Sequence, residues 1–112
     1  MKTTVAAVQM VSTPDVAENM ETAARLVAQA AQQGAQMVTL PEYWPIMGMS
    51  DADKLAHAEA AGDGPIQQFM SALAAQHRIW LVGGTLPLVS GEAGKVMNTV
   101  LVYDPAGARV SR

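Results

Sequence analysis

Cysteine is absent from the 112-residue sequence. Its absence excludes disulfide bonds, thiolate metal sites and a cysteine nucleophile within these residues. Charged residues make up only 15% of the sequence, aromatic residues only 4%, and no two lysine or arginine residues are adjacent. Because the net charge is −3, we expect neither a nucleic-acid surface nor a surface for anionic membranes.

Long apolar runs are missing as well. No stretch approaches the length that spans a bilayer, and the first residues lack the apolar region and cleavage site of a signal peptide. These features predict a cytoplasmic protein with no membrane partner. Half of the residues are apolar, which is typical of a globular chain, and 112 residues suffice for one small domain.

The first forty residues have the pattern of a strand, a helix and a second strand. Apolar residues over 4–10 predict a buried strand. Asp15 then has the spacing to Glu18 of a capping box, and the apolar stripe of the following helix runs to about Gln33. Gly34 stands where a left-handed helix end belongs, before a second apolar strand over 35–40. Because the connections are short, we expect the two strands to be parallel.

The rest of the sequence continues this alternation, and it ends on an unfinished element. The predicted segments are a loop over 43–50, a helix over 51–60, a helix from Pro65 to His77, a strand over 79–82 closed by Gly83 and Gly84, a segment over 85–90 that extends this strand or begins another, a strand over 96–103, a turn over 104–107 and the opening of a further strand over 109–112. Since a domain seldom ends just after a hairpin turn, we expect an α/β domain that is incomplete as given.

Glu42 is the main candidate for chemistry. It follows the second strand directly, and open α/β sheets place their reactive groups at such strand ends. Between Leu40 and the aromatic residues Tyr43 and Trp44, its carboxylate would be partly desolvated, which favours a general base. An equally good interpretation from position alone is that Glu42 leaves the strand and points into water. Tyr43 and Trp44 are likewise either substrate-pocket residues or packing residues.

The other motifs are weaker. Gly83 and Gly84 allow a backbone or a substrate to approach the strand end, or they mark a bend in the sheet. His57 and His77 lie on separate predicted helices without the spacing of metal ligands, so no metal site is predicted. The segment 91–95 has the wrong spacing for a phosphate-binding loop.

An ordered set of residues resembles the start of the nitrilase, or carbon–nitrogen hydrolase, superfamily. The set comprises Val5–Met10, Asn19, Gly34–Glu42, Gly64–Pro65, Ile79–Thr85, Asn98–Thr99, Tyr103–Asp104 and Gly107. It covers nearly the whole chain and is most similar to the amidase branch that includes ω-amidase and deaminated-glutathione amidase.

The resemblance implies an αββα sandwich, of which residues 1–112 would be the N-terminal portion of a single domain. It also implies a Glu–Lys–Cys triad, in which the cysteine attacks the amide carbon, the glutamate is the general base and the lysine stabilises the tetrahedral intermediate. Only the glutamate maps onto this sequence, at Glu42. Lys2, Lys54 and Lys95 match neither the position nor the context of the triad lysine.

We therefore expect the N-terminal segment of a thiol-dependent amidohydrolase that acts on the amide of a small carboxylic acid and is inactive alone. The resemblance implies no metal or nucleotide cofactor, and a homo-oligomer for the intact enzyme. The alternative is a truncated, non-catalytic pseudoenzyme or interaction module that binds a partner through its open sheet.

Overall fold

The computed structural model describes residues 2–112 as three helices and seven strands. In chain order these are β1 Val5–Ala7, α1 Val16–Gln32, β2 Met37–Thr39, α2 Asp51–His57, α3 Pro65–His77, β3 Trp80–Val82, β4 Leu86–Val89, β5 Val96–Thr99, β6 Val102–Tyr103 and β7 Arg109–Ser111. Within residues 2–112, no helix has the length and hydropathy that crossing a membrane requires.

Both ends of α1 lie where the sequence predicts them. Asp15 is the N-cap, and its carboxylate accepts a hydrogen bond from the Glu18 N–H at 3.1 Å. The N–H of Asp15 itself donates to Thr13 Oγ1 at 3.1 Å. At the other end Gly34 has a φ of +91°, and its N–H donates to the Ala31 carbonyl at 3.0 Å. This glycine ends the helix because a left-handed residue turns the chain back toward the last carbonyls.

The main sheet has five strands in the order β1-β2-β3-β6-β7. The pairs β1–β2 and β2–β3 are parallel, which confirms the predicted strand–helix–strand unit, whereas β6 and β7 join antiparallel. Helices α1 and α3 contact each other and pack on one face of this sheet, where Val38 and Leu81 are fully buried. This face holds the hydrophobic core.

The opposite face of the sheet carries a row of exposed apolar side chains. Val5, Met37 and Trp80 are paired in register across three strands, and they are 64%, 37% and 40% exposed. Successive side chains of a strand alternate between faces, so this row points away from the buried Val38 and Leu81. In an αββα sandwich this is the face that a second sheet covers.

Three predicted bounds are wrong. The predicted strand over 4–10 is shorter in the structure, where β1 ends at Ala7. The predicted helix over 51–60 ends at His57, because Glu59 leaves the helix to pair with β4. The predicted strand over 96–103 divides into β5, which pairs with β4, and β6, which pairs with β3 of the main sheet. The segment over 85–90 accordingly begins a new strand, and β4 and β5 form a two-stranded antiparallel sheet of their own.

Glu59 connects this β4–β5 hairpin to helix α3. It is 8% exposed, and its carboxylate accepts from the N–H groups of Ile66 at 2.7 Å and Gln67 at 3.1 Å, in the first turn of α3. Its backbone accepts from Val89 N–H at 2.9 Å and donates to the Pro87 carbonyl at 3.2 Å. A carboxylate at a helix N-terminus satisfies free donors and complements the helix dipole. The residue therefore fixes the hairpin relative to the core.

Candidate active site

Glu42 lies at the carboxyl end of β2, as the sequence predicts. The sheet continues one residue past this strand, because Leu40 N–H donates to the Val82 carbonyl at 2.9 Å, and residues 42–45 then form a turn. Of the two settings that the sequence left open for the Glu42 side chain, partial burial among its neighbours is wrong, and the exposed setting is the one observed. Glu42 is exposed, because the side chains of Leu40 and Trp44 enter the core instead of covering it.

The turn that carries Glu42 is tightly constrained. Tyr43 has a φ of +51°, a left-handed conformation that is uncommon for a residue with a Cβ and costs free energy. Its N–H donates to Thr85 Oγ1 at 2.8 Å. Gly84, with a φ of +57°, passes so close that a Cβ there would overlap the Pro41 carbonyl oxygen and lie 2.7 Å from the Leu40 oxygen. Gly84 thus allows the close approach of two backbone segments.

Asn98 holds the carboxylate of Glu42. Its Nδ2 donates to Glu42 Oε2 at 3.0 Å, across 56 residues of sequence. The contact joins the turn after β2 to strand β5 of the hairpin. Asn98 is one of the residues that carry the family resemblance, but the sequence predicted no role for it. The available signal was an asparagine inside a strand segment, where its residue type is disfavoured.

Trp44 lies in the core and not beside the carboxylate. Its side chain is 0% exposed, its Nε1–H donates to the Gly83 carbonyl at 2.8 Å, and its ring centroid lies 5.8 Å from that of Phe69. Buried tryptophan needs such a partner for its N–H. The position favours packing, one of the two roles that the sequence left open for Trp44.

Tyr43 lines a cavity of about 250 Å³ near the turn. Lys54 and Asp51 of α2 and Lys95 before β5 contribute to the same cavity. The Lys54 Nζ lies 4.0 Å from the centroid of the Tyr43 ring, a cation–π contact that holds the ring in place. A substrate-pocket role for Tyr43 is compatible with this position and stays a prediction.

A carboxylate with one oxygen bound to a neutral amide can accept a proton through the other oxygen. The sequence has no cysteine, so no thiol of this chain lies beside the carboxylate. Within the described residues 2–112, no three histidine, aspartate or glutamate side chains are grouped as metal ligands. The arrangement therefore offers a carboxylate that can accept a proton, at the end of a parallel strand and with one oxygen held by Asn98.

Comparison with known proteins identifies the class. The model of the carbon-nitrogen hydrolase family matches residues 4–112, and the chain belongs to this family. A deaminated glutathione amidase of Synechocystis sp. is 35% identical over 108 residues, covering 96% of this chain and 39% of that protein. An omega-amidase of Xenopus tropicalis is 33% identical over 109 residues, covering 89% of this chain and 35% of that protein. The chain thus spans under two fifths of the length of these relatives.

The fold agrees with the family. The crystal structure of the C. elegans NitFhit protein superposes with a TM-score of 0.82 at 27% identity, covering 97% of this chain and 27% of that one. The nitrilase-like α/β fold expected from the sequence is confirmed for the portion of the fold that this chain represents.

Proposed function

We propose that Glu42 is the general base of a thiol-dependent amidohydrolase that cleaves the amide of a small carboxylic acid. The observation that carries this proposal is the position of Glu42 in a chain of the carbon-nitrogen hydrolase family: at the carboxyl end of a parallel strand, with one oxygen held by Asn98. Two of the relatives bear amidase names, which supports amides as the substrate class.

The reaction needs two further groups, a lysine and a cysteine, and we place both outside these 112 residues. Glu42 accepts the thiol proton while the sulfur bonds to the amide carbon, and the carbonyl electron pair moves to oxygen. The lysine ammonium stabilises this oxyanion. Collapse breaks the C–N bond, and the proton returns from Glu42 to the leaving ammonia. Glu42 then deprotonates the water that converts the thioester to the carboxylic acid and the free thiol.

The contributions of these groups differ in size. A positioned general base contributes about 10²–10⁴-fold to the rate. Groups that act as a unit lose most of their effect when the nucleophile is removed. Residues 1–112 alone, as the N-terminal portion of a single domain, are therefore expected to be inactive. For the intact enzyme we propose a cytoplasmic homo-oligomer whose mechanism uses no metal or nucleotide.

Ammonia release from small amides tests the proposal. We expect no turnover from the 112-residue chain, and turnover from a longer product of the same reading frame if that frame encodes a Lys-x-His segment and then a cysteine. In the longer product Glu42→Gln should remove nearly all activity, whereas Glu21→Gln, an exposed glutamate on α1, should not. Cysteine-independent turnover by the 112-residue chain that Glu42→Gln abolishes would refute thiol dependence.

One observation favours a second function, an interaction module. The row of Val5, Met37 and Trp80 is an exposed apolar surface of the kind that binds a protein partner. The DNA after codon 112 distinguishes the two functions. A stop codon there supports the interaction module, and a continuing frame with the lysine and the cysteine supports the hydrolase.

A further inference from the structure

We propose that Asn98 is a positioning residue for the Glu42 carboxylate, a role that rests on the proposed function of Glu42 as general base. The geometry that carries it is the single hydrogen bond from Asn98 Nδ2 to Glu42 Oε2, at 3.0 Å. A carboxylate can only accept, so the asparagine amide must present its NH₂ group to Glu42.

The backbone around Glu42 is fixed without Asn98. Tyr43 N–H bonds to Thr85 Oγ1 at 2.8 Å, and the Trp44 indole bonds to the Gly83 carbonyl at 2.8 Å. The exposed side chain of Glu42 has three further torsions, which these bonds do not restrain. Its direction therefore depends on the contact with Asn98.

The chemistry of an amide donor suits this task. Asn98 is neutral, so it orients one carboxylate oxygen and leaves the negative charge unpaired, whereas lysine or arginine would form an ion pair. The second oxygen, Oε1, stays free to accept the proton of the nucleophile. A general base needs one free oxygen to accept the proton, and the hydrogen bond to its other oxygen fixes the direction of the carboxylate.

The place of Asn98 in the hairpin supports a role beyond strand formation. Asparagine is depleted in strands, yet here it lies inside β5, opposite Pro87 in the register. Its neighbour Thr99 is buried, and Asn98 itself is exposed, so Asn98 adds little to the core. The structure gives its side chain one hydrogen-bond partner among the described residues, and that partner is Glu42.

The kinetic test uses Asn98→Leu, of similar size without a donor, in the longer product of the reading frame that carries the lysine and the cysteine. Misplacement of a reacting group lowers rates by up to about 10²-fold. We expect the kcat of Asn98→Leu to fall about 10- to 100-fold with KM unchanged. Asn98→Asp places two carboxylates together, so its kcat should fall at least as far. The matched control is Ser90→Ala, which removes hydrogen bonds in the turn of the same hairpin and leaves the Asn98 contact intact. Its kcat should stay near the parent value.

A double-mutant cycle separates positioning from hairpin stability. When Glu42→Gln has already removed the base, Asn98→Leu should cause no further loss of kcat. An equal loss in both backgrounds, or a parent-like kcat in Asn98→Leu while Glu42→Gln is inactive, would overturn the role of Asn98. Full activity of Glu42→Gln would instead overturn the proposed function.

The contact itself is measurable without turnover. The 112-residue chain has two asparagines, Asn19 and Asn98, so asparagine-selective labelling of this chain makes their side-chain amide signals assignable by NMR. Asn19 is buried and bonded to the Thr13 and Pro45 carbonyls, which makes it an internal reference. Glu42→Gln should shift the Asn98 signal and leave that of Asn19 in place. An Asn98 signal unaffected by Glu42→Gln would refute the contact in solution.

Discussion

Replacement of Trp44 by phenylalanine should destabilise the protein strongly for so small a change in shape. The substitution removes the indole N–H and leaves the buried Gly83 carbonyl without its partner at 2.8 Å. An unsatisfied buried polar group costs about 1–3 kcal/mol. The smaller ring also leaves a gap in a core site that is 0% exposed, beside Phe69, which adds about 1 kcal/mol. We expect a total loss of about 2–4 kcal/mol, against about 5–15 kcal/mol for a whole domain.

Urea unfolding followed by far-UV circular dichroism measures this loss, with the free energy of unfolding extrapolated to water. The matched control is Trp80→Phe, because Trp80 is 40% exposed on the open sheet face. This control should cost less than about 1 kcal/mol. Each variant retains one tryptophan, so fluorescence gives an independent signal. A smaller loss for Trp44→Phe than for Trp80→Phe would show that the indole hydrogen bond and its packing do not anchor the turn.

Three further predictions concern the supports of the site. Gly84→Ala should destabilise the protein and lower activity, because its Cβ would overlap the Pro41 carbonyl. Gly91 is also left-handed but has open space around it, so Gly91→Ala should lower the stability much less. Equal urea midpoints for the two variants would contradict this prediction. Glu59→Gln should cost about 1–2 kcal/mol by weakening the carboxylate cap of α3, and an unchanged urea midpoint would count against that cap. Burial raises the pKa of Tyr103, so the folded state holds the phenol proton more tightly than the unfolded state. The resulting stability is complete below the unfolded pKa and is lost as pH rises above about 10, and Tyr103→Phe should remove that part of the pH dependence in urea titrations at pH 8 and pH 11.

Features with local causes could be predicted from the sequence. The ends of α1 depend on Asp15 and Gly34, which act on backbone groups within one turn of themselves. The parallel pairing of β1 and β2 follows from a short strand–helix–strand unit. The strand-end position of Glu42 follows from the same unit. In each case the residue and its partners are close in sequence.

Features with distant partners could not be predicted. The strand-like segment over 96–103 contains a change of sheet, because β5 pairs with β4 whereas β6 pairs with β3. The sequence places Glu59 in the predicted helix over 51–60, but its contacts are to the start of α3 and to β4. Asn98 is linked to Glu42 across 56 residues. Residue pattern alone carries no information on which distant segment satisfies such a group.

Two sets of contacts position Glu42: one holds the backbone of its turn and the other directs its side chain. Their loss should have different effects on stability and activity. The left-handed conformation of Tyr43 costs about 1–3 kcal/mol, and it persists because the turn is held on both sides by the Trp44 indole and by Thr85. Loss of these supports should therefore lower stability and activity together. The Glu42 side chain, by contrast, is exposed and depends on Asn98 alone, so loss of that contact should lower activity while the urea midpoint stays near the parent value. A comparison of Trp44→Phe with Asn98→Leu by both measurements separates a base that is held by its backbone from one that is directed by its side-chain partner.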